Sequence, residues 1–314
     1  MTNLIEVDEL TRYYGDHCAV DRVTFSLKKG EILGFLGPNG AGKSTTMQMI
    51  CGNLAPSSGA IRVNGVDMLE DPKSAKHALG YLPEQPPVYR ELTVDEYLAY
   101  CARLHGIQGA STKWAIAQSK ERSGLTEVGS RLIGNLSKGY QQRVGIAQAI
   151  IHLPEVIILD EPTVGLDPLQ IREIRELIRE LGKEHGIILS THILSEVQES
   201  CTWVQIINQG RLVLNDSIEG LRTQMRSSTL VLRTSRSADV GSFESIAGIN
   251  RIEDLGQGRY RIFHEQSANP APQLAERVVE KGWGLEELTP EGRSMEQVFI
   301  DITRATSGVG EKSA

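Results

Sequence analysis

The sequence predicts an α/β fold: a largely parallel β-sheet with helices on its faces, followed by a smaller α+β domain. Three observations predict it. The runs "EILGFLG", "EVIILDEP" and "IILS" are short, apolar and continuous, as strands buried on both faces are. Stretches of helical spacing separate them, and strand–helix alternation builds parallel sheets. Near residue 221 the composition changes, and a different order of short periodic runs begins. A length of 314 residues leaves room for two such domains.

Taken in order, the first 65 residues read as strands and turns. "LIEVDELTRYY", "CAVDRVTFSLKKG" and "AIRVNGVDM" alternate apolar and polar residues between Gly, Asn and Asp turns. Among them "EILGFLG" runs straight into a Gly-rich loop, and "KSTTMQMICGNL" then takes helical spacing. Residues 90–150 are mainly helical. "TVDEYLAYCARLHG" opens with a Thr cap and an acidic pair in the first turn, and "YQQRVGIAQAIIHL" is a second amphipathic helix. The buried strand "EVIILDEP" follows, then the charged-faced helix "PLQIREIRELIRELGKEHG", then the strand "IILS".

Beyond the connecting segment "GLRTQMRSS" come "TLVLRTS", "SFESIAG", "INRIEDL", "RYRIFHE", "PQLAERVVEK" and "WGLEELT". Their order is strand, helix, strand, strand, helix, strand, the split βαβ pattern of ferredoxin-like domains. A last short helix, "SMEQVFIDIT", and a disordered tail over 307–314 are expected. The predicted division is 1–220, with a helical part at about 86–150, then 221–306.

Composition excludes several classes. Hydrophobic residues make up 40% and charged residues 23%, enough apolar material for a core. A net charge of -7 argues against a general nucleic-acid binder, so no nucleic acid is expected as a partner. Cys18, Cys51, Cys101 and Cys201 form no CxxC pair, which argues against a zinc site or disulfide framework and fits a reducing compartment. The acidic start "MTNLIEVDEL" is no secretory leader, and no apolar run is bilayer-length. A membrane role therefore calls for a separate spanning partner.

The chemistry begins at "GPNGAGKST", residues Gly37, Pro38, Asn39, Gly40, Ala41, Gly42, Lys43, Ser44 and Thr45. It matches GxxxxGK[ST] between a buried strand and a helix. There the glycines let backbone N–H groups turn toward phosphates, and the helix N-terminus adds its positive dipole end. Lys43 reaches the β- and γ-phosphates, Ser44 offers its hydroxyl to Mg²⁺, and Thr45 is a nearby polar contact. In "VIILDEP", Asp160 stands at the strand's C-terminal end, where ligands bind beside parallel sheets. It suits the metal shell, usually through water. Glu161 projects differently and suits orienting and deprotonating an attacking water. His192 ends the strand of "IILSTHIL" and is read as a γ-phosphate contact. His17, His77, His105, His152, His185 and His264 are read as surface or packing residues. "LSKGYQQR" puts Ser137 and Gly139 at a helix start, a second device suited to phosphate.

Together these residues resemble the nucleotide-binding subunit of an ATP-binding cassette (ABC) transporter, over about residues 4–220. "GPNGAGKST" resembles Walker A, "VIILDEP" Walker B, "LSKGYQQR" the family signature, and "GLDP", with Asp167, the D-loop. "YLPEQ" places Gln85 at the Q-loop, and "RYYG" places Tyr14 at the position that stacks on adenine, with Tyr13 as the fallback.

The resemblance implies a P-loop NTPase cassette with a mixed, mainly parallel core sheet, an antiparallel β arm and a helical subdomain. It implies ATP and Mg²⁺ as ligands, Gln85 contacting Mg²⁺ or the attacking water, and His192 as the switch residue. It also implies a homodimer, or a heterodimer with a similar ATPase subunit, closing around two ATP. Each site would then use Ser137 and Gly139 of the other copy. Integral-membrane permeases would dock around Gln85 and "PPVYRELTVDEYL", leaving the chain cytoplasmic and peripheral on the membrane.

The signature departs from LSGGQ. Lys138 replaces the first Gly and Tyr140 stands at the usual Gln. Lys138 either adds charge near the nucleotide or is a solvated side chain; Tyr140 has no assigned role. The Q-loop region, the signature form and the appended domain resemble type-2 exporters, near gliding-motility, multidrug and polysaccharide exporter ATPases. The competing classes are a soluble, non-transport ABC ATPase regulating a macromolecular assembly and a nucleotide-sensing module without turnover.

Overall fold

The computed structural model describes residues 3–224, 228–265 and 267–291. The expected helix "SMEQVFIDIT" and the tail lie outside the described residues. The chain divides into two compact units, the first running to Ile218 and the second starting at Glu219.

The first unit opens with β1 (Asn3–Tyr14) and β2 (His17–Lys28), a hairpin turning at Gly15–Asp16. β3 (Ile32–Leu36) is wholly buried and feeds helix α1 (Lys43–Ile50). β4 (Ser58–Val63) and β5 (Val66–Asp67) turn through Asn64 and Gly65, both at positive φ, the "NG" geometry of a type I′ turn. After α2 (Pro72–His77) and β6 (Leu79–Leu82) come α3 (Val94–Leu104), α4 (Ala110–Ser123) and α5 (Lys138–Ile150). Thr93 and Glu96 close a full capping box on α3. β7 (Val156–Asp160), α6 (Pro168–Gly182), β8 (Gly186–Thr191), α7 (Leu194–Ser200), β9 (Trp203–Asn208) and β10 (Arg211–Ser217) complete the unit.

Six strands form the central sheet in the order β10-β9-β3-β8-β7-β6. All its pairs are parallel except β10 with β9, a hairpin whose turn residues Gln209 and Gly210 both have positive φ. β2-β1-β4-β5 form a separate antiparallel sheet. The strand period of two divides the central sheet between two cores. Val156 and Ile158 of β7 join Met47 and Ile50 of α1 and Leu10 and Phe25 of the antiparallel sheet. Ile157 and Leu159 face the other way, against Ile174, Leu177, Ile178 and Leu181 of α6. Those four follow helical i, i+3, i+4, i+7 spacing, so α6 buries one face and keeps Arg172, Glu173, Glu176, Arg179 and Glu180 outside, while Arg175 is largely covered and pairs with Glu199. α5 serves two cores: Ile146 and Ile150 pack with the sheet, while Val144 and Ala147 pack with Leu98 and Cys101 of α3 and Ala115 of α4. These faces explain why the chain is apolar where it is. They also hold β3, β7 and β8 side by side with their C-terminal ends on one edge.

The change of composition near residue 221 falls within α8 (Ile218–Gln224). The second unit contains β11 (Thr229–Thr234), α9 (Gly241–Glu244), β12 (Ile249–Gly256), β13 (Arg259–His264), α10 (Ala271–Glu280) and β14 (Leu285–Pro290). Its antiparallel sheet runs β12-β13-β11-β14, the ferredoxin-like order expected from the sequence. Leu274 and Val278 of α10, with Phe243 of α9, cover Leu232, Tyr260 and Ile262 of the sheet.

Candidate functional site

The glycine loop sits between β3 and α1. Gly42 takes φ +106°, and a Cβ there would lie 2.6 Å from the Ala19 carbonyl oxygen, so only glycine fits without a shift. Lys43 starts α1 yet is buried. Its Nζ donates to the carbonyls of Gly37 at 2.9 Å and Pro38 at 3.3 Å. The same ammonium lies 3.6 Å from Glu161 Oε1.

β7 carries Asp160 at its end and Glu161 just beyond. Glu161 adopts φ +49°, rare for a residue with a side chain, and its N–H donates to Ser190 O at 2.9 Å. The turn aims Glu161 away from the strand direction. Glu161 Oε2 lies 2.9 Å from His192 Nδ1, at hydrogen-bond distance. Glu161 is buried, whereas the His192 side chain is 43% exposed and open to a ligand. Three consecutive strand ends thus bring Lys43, Glu161 and His192 together.

These three line a cleft of about 510 Å³ with Tyr14, His17, Ala19, Asn39, Gly40, Gly42, Ser44, Thr45, Glu84 and Val164. Asp160 is buried, and its Oδ1 has no hydrogen-bond partner. A buried carboxylate oxygen left unpaired is costly, and a hard cation at this strand end would satisfy it. Asp160 and Ser44 therefore fit Mg²⁺. The Asp160 charge also helps burial to raise the pKa values of Cys51 and Tyr81.

Tyr14 lines the cleft and Tyr13 does not. The Arg12 guanidinium lies 4.9 Å from the Tyr14 ring centroid. Gln85 lies elsewhere, in a hollow of about 620 Å³ with Lys138, Gln141 and Gln142, while Glu84 faces both spaces. Ser137 and Gly139 open into a third space of about 450 Å³, with Tyr140, Arg143, Asp167 and Gln170. Ser137 caps α5 through Oγ to the Tyr140 N–H, a long bond at 3.4 Å. Asp167 caps α6 by accepting the Gln170 N–H at 2.9 Å. The Lys138 side chain lies against Gly165, where an added Cβ would strike it. It rests on the D-loop of its own chain.

His17 is exposed, in keeping with its reading as a surface residue, and the β1–β2 turn sets it on the cleft lining with Tyr14. Sequence reasoning passed over Glu84, Val164 and the pair Thr163 and Glu196 behind the cleft wall. Only proximity to the recognised motifs marked the first two.

A glycine loop whose lysine meets the carboxylate just past a strand end is the arrangement of a P-loop nucleotide hydrolase. The family described as ABC transporter matches residues 20–164. The bacitracin transport ATP-binding protein BcrA of Bacillus licheniformis is 35% identical over 304 residues, covering 96% of this chain and 98% of that protein. The linearmycin resistance ATP-binding protein LnrL of Bacillus subtilis is 30% identical over 309 residues, covering 96% and 99%. A solved ATP-binding subunit of an ABC transporter superposes with a TM-score of 0.64 at 35% identity, over 70% of this chain and 92% of that one. The chain belongs to the ABC transporter family and is an ATP-binding, ATP-hydrolysing transporter subunit.

Proposed function

We propose that this ATPase drives export by separate membrane permeases, closing as a pair of copies around two ATP. Among the described residues no helix is long and apolar enough to cross a membrane, which supports a separate spanning partner. The near full-length likeness to a bacitracin transport protein and a linearmycin resistance protein supports the type-2 exporter branch. On this reading the chain works at the cytoplasmic face, docked through the surface around Gln85.

In the reaction, backbone N–H groups of Gly37–Thr45 cradle the phosphates and Lys43 moves from the Gly37 and Pro38 carbonyls to phosphate oxygen. Asp160 and Ser44 would hold Mg²⁺, which would supply charge neutralisation to the phosphates, while Gln85, in its separate hollow, is left out of the metal shell. Glu161 accepts a proton from the attacking water, and His192, hydrogen-bonded to Glu161, contacts the γ-phosphate. Tyr14 stacks on the adenine. The other copy contributes Ser137, Gly139 and Asp167.

The observation that carries this reading is the separation of two half-sites. The Lys43–Glu161–His192 cleft and the Ser137–Gly139 space share no lining residue among those described. That separation supports a site completed by a second copy. Glu161→Gln keeps the shape and removes the base. Turnover should fall about 10²–10⁴-fold with ATP binding retained; near-normal hydrolysis would reject Glu161 as the base. Co-purification from detergent-solubilised membranes tests the permease: a chain that brings down no integral-membrane subunit favours the non-transport alternative.

A further inference from the structure

Behind the cleft wall lies a buried carboxylate that the reaction above does not use. Glu196 is 1% exposed. It sits on α7, four residues after His192. Its Oε1 accepts the Thr163 hydroxyl, and its Oε2 accepts the Thr191 hydroxyl at 2.7 Å. Both threonines are buried. Among the described residues no Lys, Arg or His forms an ion pair with it.

A buried carboxylate without a cation is expensive, and an apolar side chain would fill the space at lower cost. What the carboxylate adds is a link between two loops. Thr163 lies two residues after Glu161, and Thr191 lies one residue before His192. Thr191 Oγ1 also accepts the Ile193 N–H at 3.1 Å, so hydrogen bonds flank His192 in the chain. On the other side, Glu161 N–H to Ser190 O fixes where β7 ends against β8. The 2.9 Å contact between His192 Nδ1 and Glu161 Oε2 lies across the gap between those same two loops.

We infer that Glu196 is a positioning residue for hydrolysis: by holding the hydroxyls of Thr163 and Thr191 it sets the loop of Glu161 against the loop of His192. The inference rests on the proposed roles of Glu161 and His192. Glu196 is not among the residues lining the cleft; it acts through the spacing of two residues that are.

The test measures ATPase kinetics, binding of a fluorescent ATP analogue and thermal melting on the full chain. The variants are Glu196→Ala, Glu196→Gln, Thr163→Val and Thr191→Val, with Glu196→Ala repeated in a His192→Ala background. Misplacing reacting groups by about 1 Å costs up to about 100-fold, so Glu196→Ala should lower kcat about 10- to 100-fold. Analogue affinity should stay within about threefold, the pattern of an interaction needed only in the transition state. Glu196→Gln, which still accepts one hydroxyl, should keep more turnover than Glu196→Ala, and each Thr→Val change should lose part of it.

The deciding comparison is the cycle. With His192 already removed, Glu196→Ala should cost less than about threefold more, because coupled residues are not additive. An equal loss in both backgrounds, or a loss that tracks the melting temperature alone, overturns the inference. If Glu196→Ala does not fold, the same cycle run with Thr191→Val decides it. His192→Ala with normal turnover would instead overturn the reading of His192, which is a separate outcome.

Discussion

Acid should weaken this protein through one histidine. His152 follows α5, and its Nε2 lies 3.0 Å from the Leu79 carbonyl, while its buried Nδ1 has no partner. Its ring stacks on His105 at 3.7 Å, and the His77 ring lies edge-on at 6.0 Å. Burial, helped by the neighbouring His105 charge, lowers its pKa from 6.5 to about 4. The unfolded chain takes up this proton near pH 6.5, the folded chain only near 4. Stability from keeping His152 neutral is therefore complete above 6.5 and is lost as pH falls toward 4. At about 1.4 kcal/mol per pH unit the gap is worth about 3 kcal/mol at most. Urea midpoints by circular dichroism at pH 7.5, 6 and 5 read it directly. His152→Gln should flatten the decline without abolishing it, since burial also lowers the pKa values of His105 and His185. A variant that loses stability between pH 7.5 and 5 as steeply as the parent would refute the reasoning.

Tyr14→Ala should raise the KM for ATP about tenfold through lost stacking, and Tyr13→Ala should leave it unchanged; ATPase titrations that give equal effects would remove the distinction drawn from the cleft. Gly42→Ala, which forces a Cβ to φ +106° and to 2.6 Å from Ala19 O, should destabilise the loop by about 1–3 kcal/mol and abolish measurable nucleotide binding. A calorimetric titration with normal affinity would contradict this.

Much of the site was legible because its parts are local signals at strand ends. "EILGFLG" and "VIILDEP" name both a buried strand and the polar residue that ends it, and a parallel sheet brings such ends to one edge. The ferredoxin-like order was legible for the same reason, from short runs in sequence. Other features depend on non-local contacts. The β9–β10 hairpin escaped notice although "NQG" marks its turn, because a Gln at positive φ is an unusual first turn residue. His17 enters the cleft only through the β1–β2 pairing. Glu196 gave no signal: one of two glutamates in a seven-residue helix, it reads as solvated until the fold packs it against two threonines. Lys138 had two readings, charge near the nucleotide or a solvated side chain, and the structure adds a contact with Gly165 that neither contained.

The central claim is that two copies of the chain complete each other's sites, and mixing two inactive variants tests it most directly. Lys43→Ala disables the phosphate loop and Ser137→Ala the signature, so each pure variant should hydrolyse ATP poorly. In a mixed pair one composite site keeps both Lys43 and Ser137. Random pairing should then restore roughly a quarter of the parent ATPase activity if the sites turn over independently, and dilution should abolish it. A mixture no more active than its separate components would contradict the account.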